Sequence, residues 1–299
     1  MSLFNRKKKE VTKKDKDYYK LALTNYTNGN YQDTINNLIS ATNIDSTGRA
    51  ELDLAMLSIN TTVVSEDELD LDMFFDYSLE AMKKGNDKVY GLVAFILDIC
   101  DNHEDLLHFI EEHKDYINDA LFNIYVAEAY MDMFNSGDED KYFDPTICKT
   151  ACKIAIESAS FEYDKFTNEF DDAVEFSIYS ETYPNLDYSN LLGKAYWVHA
   201  RAMLFYPDGY SAKDFTDTIE NALKYATFND DIFLIYQLYL YAILKNDFNL
   251  KDPYLCTDVI NKFDDFYNSL YEEFQSSYSD AYKSMWKKYD EYISQFADD

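Results

Sequence analysis

The sequence predicts an all-α fold of antiparallel helices, and three observations carry that expectation. Among 299 residues there are only 7 Gly and 4 Pro, whereas sheet-rich folds use both freely in turns. Apolar residues recur at helical spacing from about residue 16 to the end, with no two-residue alternation bounded by hairpin signals. The breaks between these runs are short, and loops that short force neighbouring helices antiparallel.

Taken in order, residues 1–14 read as a disordered basic arm, because low hydrophobicity and dense charge leave no apolar surface to bury. The rest, 15–299, reads as a single helical domain. Helices are expected at 16–28, 31–44, 48–62, 68–84, 87–101, 103–114, 116–135, 144–160, 164–181, 187–206, 212–227, 229–246, 253–270 and 275–296, the last as a cap. Breaker chemistry separates many of them: Asn28-Gly29-Asn30, Lys84-Gly85-Asn86, Ser136-Gly137-Asp138, Tyr183-Pro184, Pro207-Asp208-Gly209 and Asp252-Pro253. In the second helix Ile35, Leu38, Ile39 and Thr42 form an apolar stripe, while Asn36, Asn37 and Ser40 face away. The helix 229–246 is apolar almost all round, which places it between neighbours.

The net charge of −29 is unevenly spread. Residues 1–20 hold eight Lys/Arg against Glu10, Asp15 and Asp17, a balance of +5, so the remaining 279 residues carry −34. Such a body repels nucleic acid and anionic lipid and attracts basic protein surfaces. The run Arg6-Lys7-Lys8-Lys9 beside Leu3 and Phe4 gives at best a weak anchor, so no stable membrane association is expected. The longest apolar stretches, Val89–Leu97 and Ile232–Leu244, are shorter than a bilayer span, and Met1–Phe4 is too short for a signal peptide. Cys100, Cys148, Cys152 and Cys256 stand beside apolar residues, as semi-buried reduced thiols of a cytoplasmic protein would.

Repeats sharpen the fold. In YKLALTNYTNGNYQDTINNLISATNIDS, residues 19–46, Tyr18 precedes Leu21-Ala22, Gly29 sits in the turn, and Tyr31, Thr34, Leu38 and Ala41 follow. This segment resembles a tetratricopeptide repeat, in which a large side chain of one helix fills the notch above a small residue of its partner. Asp70, Tyr77, Ala81 and Gly85-Asn86 resemble a Sel-one-like repeat, as do Tyr206, Gly209, Asp214, Thr218, Tyr225 and Ala226, where the loop is one residue shorter than the family pattern. The anchors Ala41 and Ala81 are 40 positions apart, a helical-repeat period. The resemblance covers about a third of the chain. It implies a right-handed superhelical solenoid of helix pairs that acts as a protein–protein scaffold. On the first repeat it places Tyr19, Leu23 and Tyr26 on the helix that lines the concave side, as the partner-binding residues. Tyr19 and Leu23 stand where a chaperone-binding repeat carries the Lys and Asn that clamp a carboxylate, so that subtype is not expected.

The candidate chemistry is thin. Glu104, His108 and Glu112 recur every four residues and could face one divalent ion, but His103 and His113 point elsewhere, and the run reads as a solvated acidic face. Cys148 and Cys152 read as a packed face. Asp138–Asp144 has Tyr142 and Phe143 where a calcium loop needs an oxygen ligand and Gly. His199, next to Trp197 and Val198, reads as a core or groove histidine. The sequence therefore predicts no catalytic residues, no metal and no cofactor. It predicts a non-enzymatic scaffold that presents an acidic, Tyr-lined groove to a basic protein or peptide. Two other readings share the same features: an acidic mimic of nucleic acid that blocks a nucleic-acid-binding protein, and a metal-dependent enzyme with its site near His108.

Overall fold

The protein is described by a computed structural model covering residues 13–60, 70–115, 117–131, 144–168 and 188–296. Among these residues there are thirteen α-helices and no strand. They are α1 (Lys13–Thr27), α2 (Tyr31–Thr42), α3 (Arg49–Ser58), α4 (Leu71–Lys83), α5 (Lys88–Ile99), α6 (His103–His113) and α7 (Ala120–Ala129), then α8 (Pro145–Asn168), α9 (Tyr188–Phe205), α10 (Ala212–Tyr225), α11 (Asn229–Lys245), α12 (Pro253–Ser269) and α13 (Glu272–Ile293). Of the basic arm expected at 1–14, residues 1–12 lie outside the described residues, while Lys13 and Lys14 already belong to α1; the acidic stretch 138–143 and the breaks at Gly137 and Pro184 also lie outside them.

Local chemistry sets the helix ends. Asp70 caps α4 by accepting from the Met73 amide at 2.8 Å. Ser211 and Asp214 form a reciprocal capping box on α10, which satisfies two otherwise orphaned amides. Asp252 accepts from Tyr254 N and Leu255 N ahead of α12, whose first residue is Pro253. At the end of α5, Asp101 turns left-handed at φ 56°, and Asn102 N then closes on Leu97 O at 3.0 Å.

Two expectations about boundaries need correction. The expected helices 144–160 and 164–181 begin as one element, since α8 continues to Asn168 without a break at 161–163. Ser160-Phe161-Glu162-Tyr163 contains neither Gly nor Pro, so nothing there stops the helix. The helix expected at 116–135 starts later, at Ala120, because the Asp119 carboxylate takes the Phe122 amide at 2.8 Å and acts as the cap.

The chain divides into two compact units: among the described residues, 13–122 with 165–168, and 123–164 with 188–296. In the first unit consecutive helices from α1 to α6 pack on one another. Burial alternates along this series. Every residue of α3 from Ala50 to Ser58 is buried, and α5 buries Val89, Leu92, Val93, Ala94, Ile96 and Leu97. By contrast α2 buries only Thr34, Leu38 and Ala41, α4 only Phe74, Ser78 and Ala81, and α6 only Leu106 and Ile110. In the second unit the contrast is weaker: α11 buries Phe233, Ile235, Tyr239, Leu240, Ala242 and Ile243, and α12 buries Cys256, Val259, Ile260, Phe263 and Tyr267. Helix α11 packs on α9, α10, α12 and α13, as its nearly continuous apolar sequence requires, while α10 buries one face through Phe215, Thr218, Ile219 and Ala222.

Close approaches explain two glycines. A Cβ on Gly48, which has φ +73°, would lie 2.8 Å from the Ala81 carbonyl oxygen, so α4 passes directly over the start of α3. A Cβ on Gly193 in α9 would lie 2.6 Å from Ala226 N at the end of α10. The stripe on α2 is also corrected: its buried side is Thr34-Leu38-Ala41, while Ile39 is 42% exposed. The small residues Thr34 and Ala41 let α2 approach its neighbours, and that rotates the helix away from its most apolar stripe. Cys148, Cys152 and Cys256 are buried, but Cys100 is exposed at the C-terminal end of α5.

Candidate interaction surface

Tyr19, Leu23 and Tyr26 recur on one side of α1 and pack against a small core of Ala22, Leu38, Ala41, Ala50, Leu54 and Leu57. Each is half-buried. The Tyr19 hydroxyl donates to the carboxylate of Asp53, which is fully buried on α3. The Arg49 guanidinium lies over the same ring, 4.3 Å from its centroid. Burial first, and then the Asp53 carboxylate, raise the Tyr19 phenol above its usual range, so it stays a neutral donor. Tyr26 meets Tyr31 with ring centroids 5.8 Å apart. The structure thus brings the three expected residues together, with their inner edges tied into the α1–α3 packing.

A second polar node fixes α4. Lys84 Nζ donates to Thr42 O at 2.7 Å, to Asp45 O at 2.8 Å and to the carboxylate of Glu51, which is buried on α3. One ammonium thereby ties together the end of α2, the loop after it and α3. Asp45 in turn accepts from Thr47 and from the Arg49 and Ala50 amides. Although burial opposes it, these hydrogen bonds hold its carboxyl below the ordinary range.

The outer face of α4 carries a feature that the repeat resemblance did not single out. Leu71, Phe75 and Leu79 are 42%, 36% and 50% exposed and recur every four residues. One position further on, Asp72, Asp76 and Glu80 form a parallel exposed row. The signal was present in the sequence as two rows on a single helix, Phe74-Ser78-Ala81 with its two small residues and the apolar row Leu71-Phe75-Leu79. Beside Leu79, Met82 lines a cleft of about 410 Å³ with Lys83, Lys84, Gly85, Asp87, Tyr90 and Ile117. Leu234 and Tyr241 on α11 form a shorter exposed pair, 42% and 47% open.

The histidines separate. On α6 His108 is exposed, with Nδ1 3.9 Å from the Glu112 carboxylate, and His103 Nε2 lies 2.9 Å from Asp101. His113 instead packs edge-on to Tyr90 and Phe109, and burial lowers its basicity. Among the described residues no three His, Cys, Asp or Glu side chains are placed to hold one metal ion. In the second unit His199 Nε2 lies 3.4 Å from the Tyr210 hydroxyl, and burial pushes the imidazole down to about 4. Cys148 Sγ faces Ala127 O at 3.7 Å, and Cys152 is held well above the usual thiol range by its hydrogen bond with Cys148 and by burial. A buried thiol held protonated as Cys152 is makes a poor nucleophile.

Among the described residues no helix is long and apolar enough to cross a membrane. Comparison with protein-family models, curated proteins and solved structures finds no match to any of them.

Proposed function

We propose that this protein works as a non-enzymatic interaction scaffold that engages a basic protein or peptide. The observation that carries this reading is the set of large apolar side chains left open in rows at helical spacing on an acidic surface, foremost Leu71, Phe75 and Leu79. Contiguous exposed apolar surface rimmed by polar residues marks interaction sites in soluble proteins. A body carrying this much negative charge favours cationic partners.

The scaffold reading extends to architecture. A stack of helix pairs, in which every second helix is covered on most sides, is how a tetratricopeptide or Sel-one-like solenoid would build its core. The complete burial of Ala22, Thr34, Leu38 and Ala81, and the nearly complete burial of Ala41, support that likeness. With α3 and α5 covered, the surface best suited to a partner is the outer face of a half-covered helix. The nucleic-acid-mimic reading draws on charge alone and gives no role to exposed Leu and Phe. The test is kinetic: association with a captured basic partner is measured at rising salt, where the Debye length shrinks from about 10 Å at 0.1 M to about 3 Å at 1 M. A marked fall in the association rate is expected. A rate indifferent to salt would overturn the part of the reading that assigns the acidic body a role in capture.

A further inference from the structure

We infer that the outer face of α4 is a docking strip for a basic amphipathic helix of a partner protein. This inference rests on the scaffold reading and deepens it by naming the surface and the chemistry of its occupant. Phe74, Ser78 and Ala81 point into the fold and are fully or almost fully covered. Leu71, Phe75 and Leu79 lie one step round the helix and remain open. The apolar arc of α4 is therefore wider than its neighbours cover, although an amphipathic surface helix ordinarily shows one apolar stripe.

The row has shape as well as area. From Leu71 to Met82 it runs about 16 Å along the helix axis, the length of three turns of a second helix. At its far end Met82 lines the cleft shared with Gly85, Tyr90 and Ile117, and the two cations there, Lys83 and Lys84, are already engaged by Glu80 and by Glu51 and two carbonyls. Phe75 rests edge-on against the buried ring of Phe74, centroids 5.1 Å apart, which steadies it before any partner arrives. The end of α4 is itself fixed by the contacts of Lys84 with Thr42, Asp45 and Glu51.

Charge selects the occupant. Asp72, Asp76 and Glu80 stand in an exposed row directly beside the apolar one. Among the described residues Glu80 pairs with Lys83, while neither Asp72 nor Asp76 has a cationic partner within ion-pair distance. A helix carrying apolar residues on one stripe and Lys or Arg on the adjacent stripe satisfies both rows at once. An acidic helix is repelled by them, and so is an anionic lipid surface, which leaves a protein segment as the fitting partner. A second copy of this chain would bring another α4 with the same acidic row.

The test uses the whole 299-residue chain and a designed, fluorescein-labelled Leu/Lys peptide with helical periodicity, read by fluorescence anisotropy near physiological salt. Two comparison peptides carry the same Leu content: one alternates Leu and Lys with a period of two, and one has Glu in place of Lys. The variants are F75S/L79S for the apolar row, D72N/D76N for the acidic row, and L234S/Y241S as a charge-neutral control on α11. All six side chains are at least partly exposed, and circular dichroism verifies the fold of each variant. Wild type is expected to bind the helical basic peptide about tenfold or more tighter than either comparison peptide. F75S/L79S should lose about tenfold or more, D72N/D76N should lose several-fold with a weaker salt dependence, and the control should stay within about twofold.

Four outcomes of this test overturn the inference. One is equal binding of the two cationic peptides, which would show unspecific attraction to an acidic body. Another is F75S/L79S binding as wild type does. A third is self-association in sedimentation velocity that the same variant abolishes while peptide binding is absent, which would make a second copy the occupant. The fourth is peptide binding that appears only after residues 1–14 are removed, which would make the chain's own arm the occupant. A natural partner whose binding is untouched by F75S/L79S would sink the strip alone and leave the scaffold reading standing.

Discussion

The imidazole of His199 sits on α9 with the Tyr210 hydroxyl beside it. Burial holds it down to about 4, against 6.5 for an ordinary histidine. Between these values the unfolded chain takes up a proton that the folded chain refuses, so stability rises with pH across the window. The contribution is complete above about pH 6.5 and is lost as pH falls toward 4. At pH 5 it amounts to a loss of about 2 kcal/mol relative to pH 7. Urea unfolding of wild type and His199→Phe at both pH values checks this, because the carboxylates titrate in both proteins and cancel in the difference. An identical pH dependence in the two would show that His199 is protonated in the fold. A second test at this scale concerns Ala41, which is 1% exposed, and Ser40 beside it, which bonds back to Asn36 O at 2.9 Å on the open side of α2. Ala41→Leu forces three carbons into a filled space and should cost about 1–3 kcal/mol. Ser40→Leu should cost under about 0.5 kcal/mol. Equal costs would show that the register taken from Gly29 and Ala41 is wrong.

At the scale of elements, caps and close approaches do separate work. The Ser211–Asp214 box satisfies the first amides of α10. Ser211→Ala should lower stability by about 0.5–2 kcal/mol in denaturant unfolding, with little change in the slope with denaturant. The contact of Gly193 with Ala226 is of another kind. It lies in the middle of α9, where Ala is the better helix former, so propensity alone makes Gly193→Ala stabilising by about 1 kcal/mol. The missing Cβ would meet backbone at 2.6 Å, and backbone cannot rotate away as a side chain can. Overpacking should therefore win, with a net loss of about 1–3 kcal/mol. A gain in melting temperature on Gly193→Ala would show that α9 and α10 have room to separate.

At the scale of the whole molecule, each compact unit has its own core. In the first, Ala22, Leu38, Ala41, Ala50, Leu54 and Leu57 pack together, and in the second a larger cluster centres on Phe215, Phe233, Tyr239, Ile260 and Phe263. A defect in the first should therefore raise local opening there before it reaches the second. In hydrogen exchange, Ala41→Leu should speed amides in 18–60 while α10 and α11 keep their protection. Uniform loss of protection along the chain would instead show one cooperative structure. The many tyrosines also sort at this scale. Tyr206 and Tyr267 are buried and donate to the carbonyls of Tyr130 and Gln275 at 2.6 and 2.7 Å, whereas Tyr254 and Tyr271 are open to solvent.

Features set by neighbours along the chain could be read before any tertiary contact was known. The all-α class, most helix limits and the turns at Gly29, Gly85 and Gly209 were legible because caps, breakers and periodicity act over a few residues, whereas the small residues Thr34, Ala41 and Ala81 were singled out by the resemblance to helical repeats and not by periodicity. The packed reading of Cys148, Cys152 and His199 was legible for the same reason. Tertiary structure decided which apolar face each helix would cover. On α2 it chose Thr34-Leu38-Ala41 and left Ile39 open, and on α4 it covered Phe74 and left Phe75 exposed. It also joined Tyr19 to Asp53 and Lys84 to Glu51, across 34 and 33 positions of sequence. No local pattern specifies those pairs, because a carboxylate in a helix can find its cation or hydroxyl only after other helices have set the distance between them.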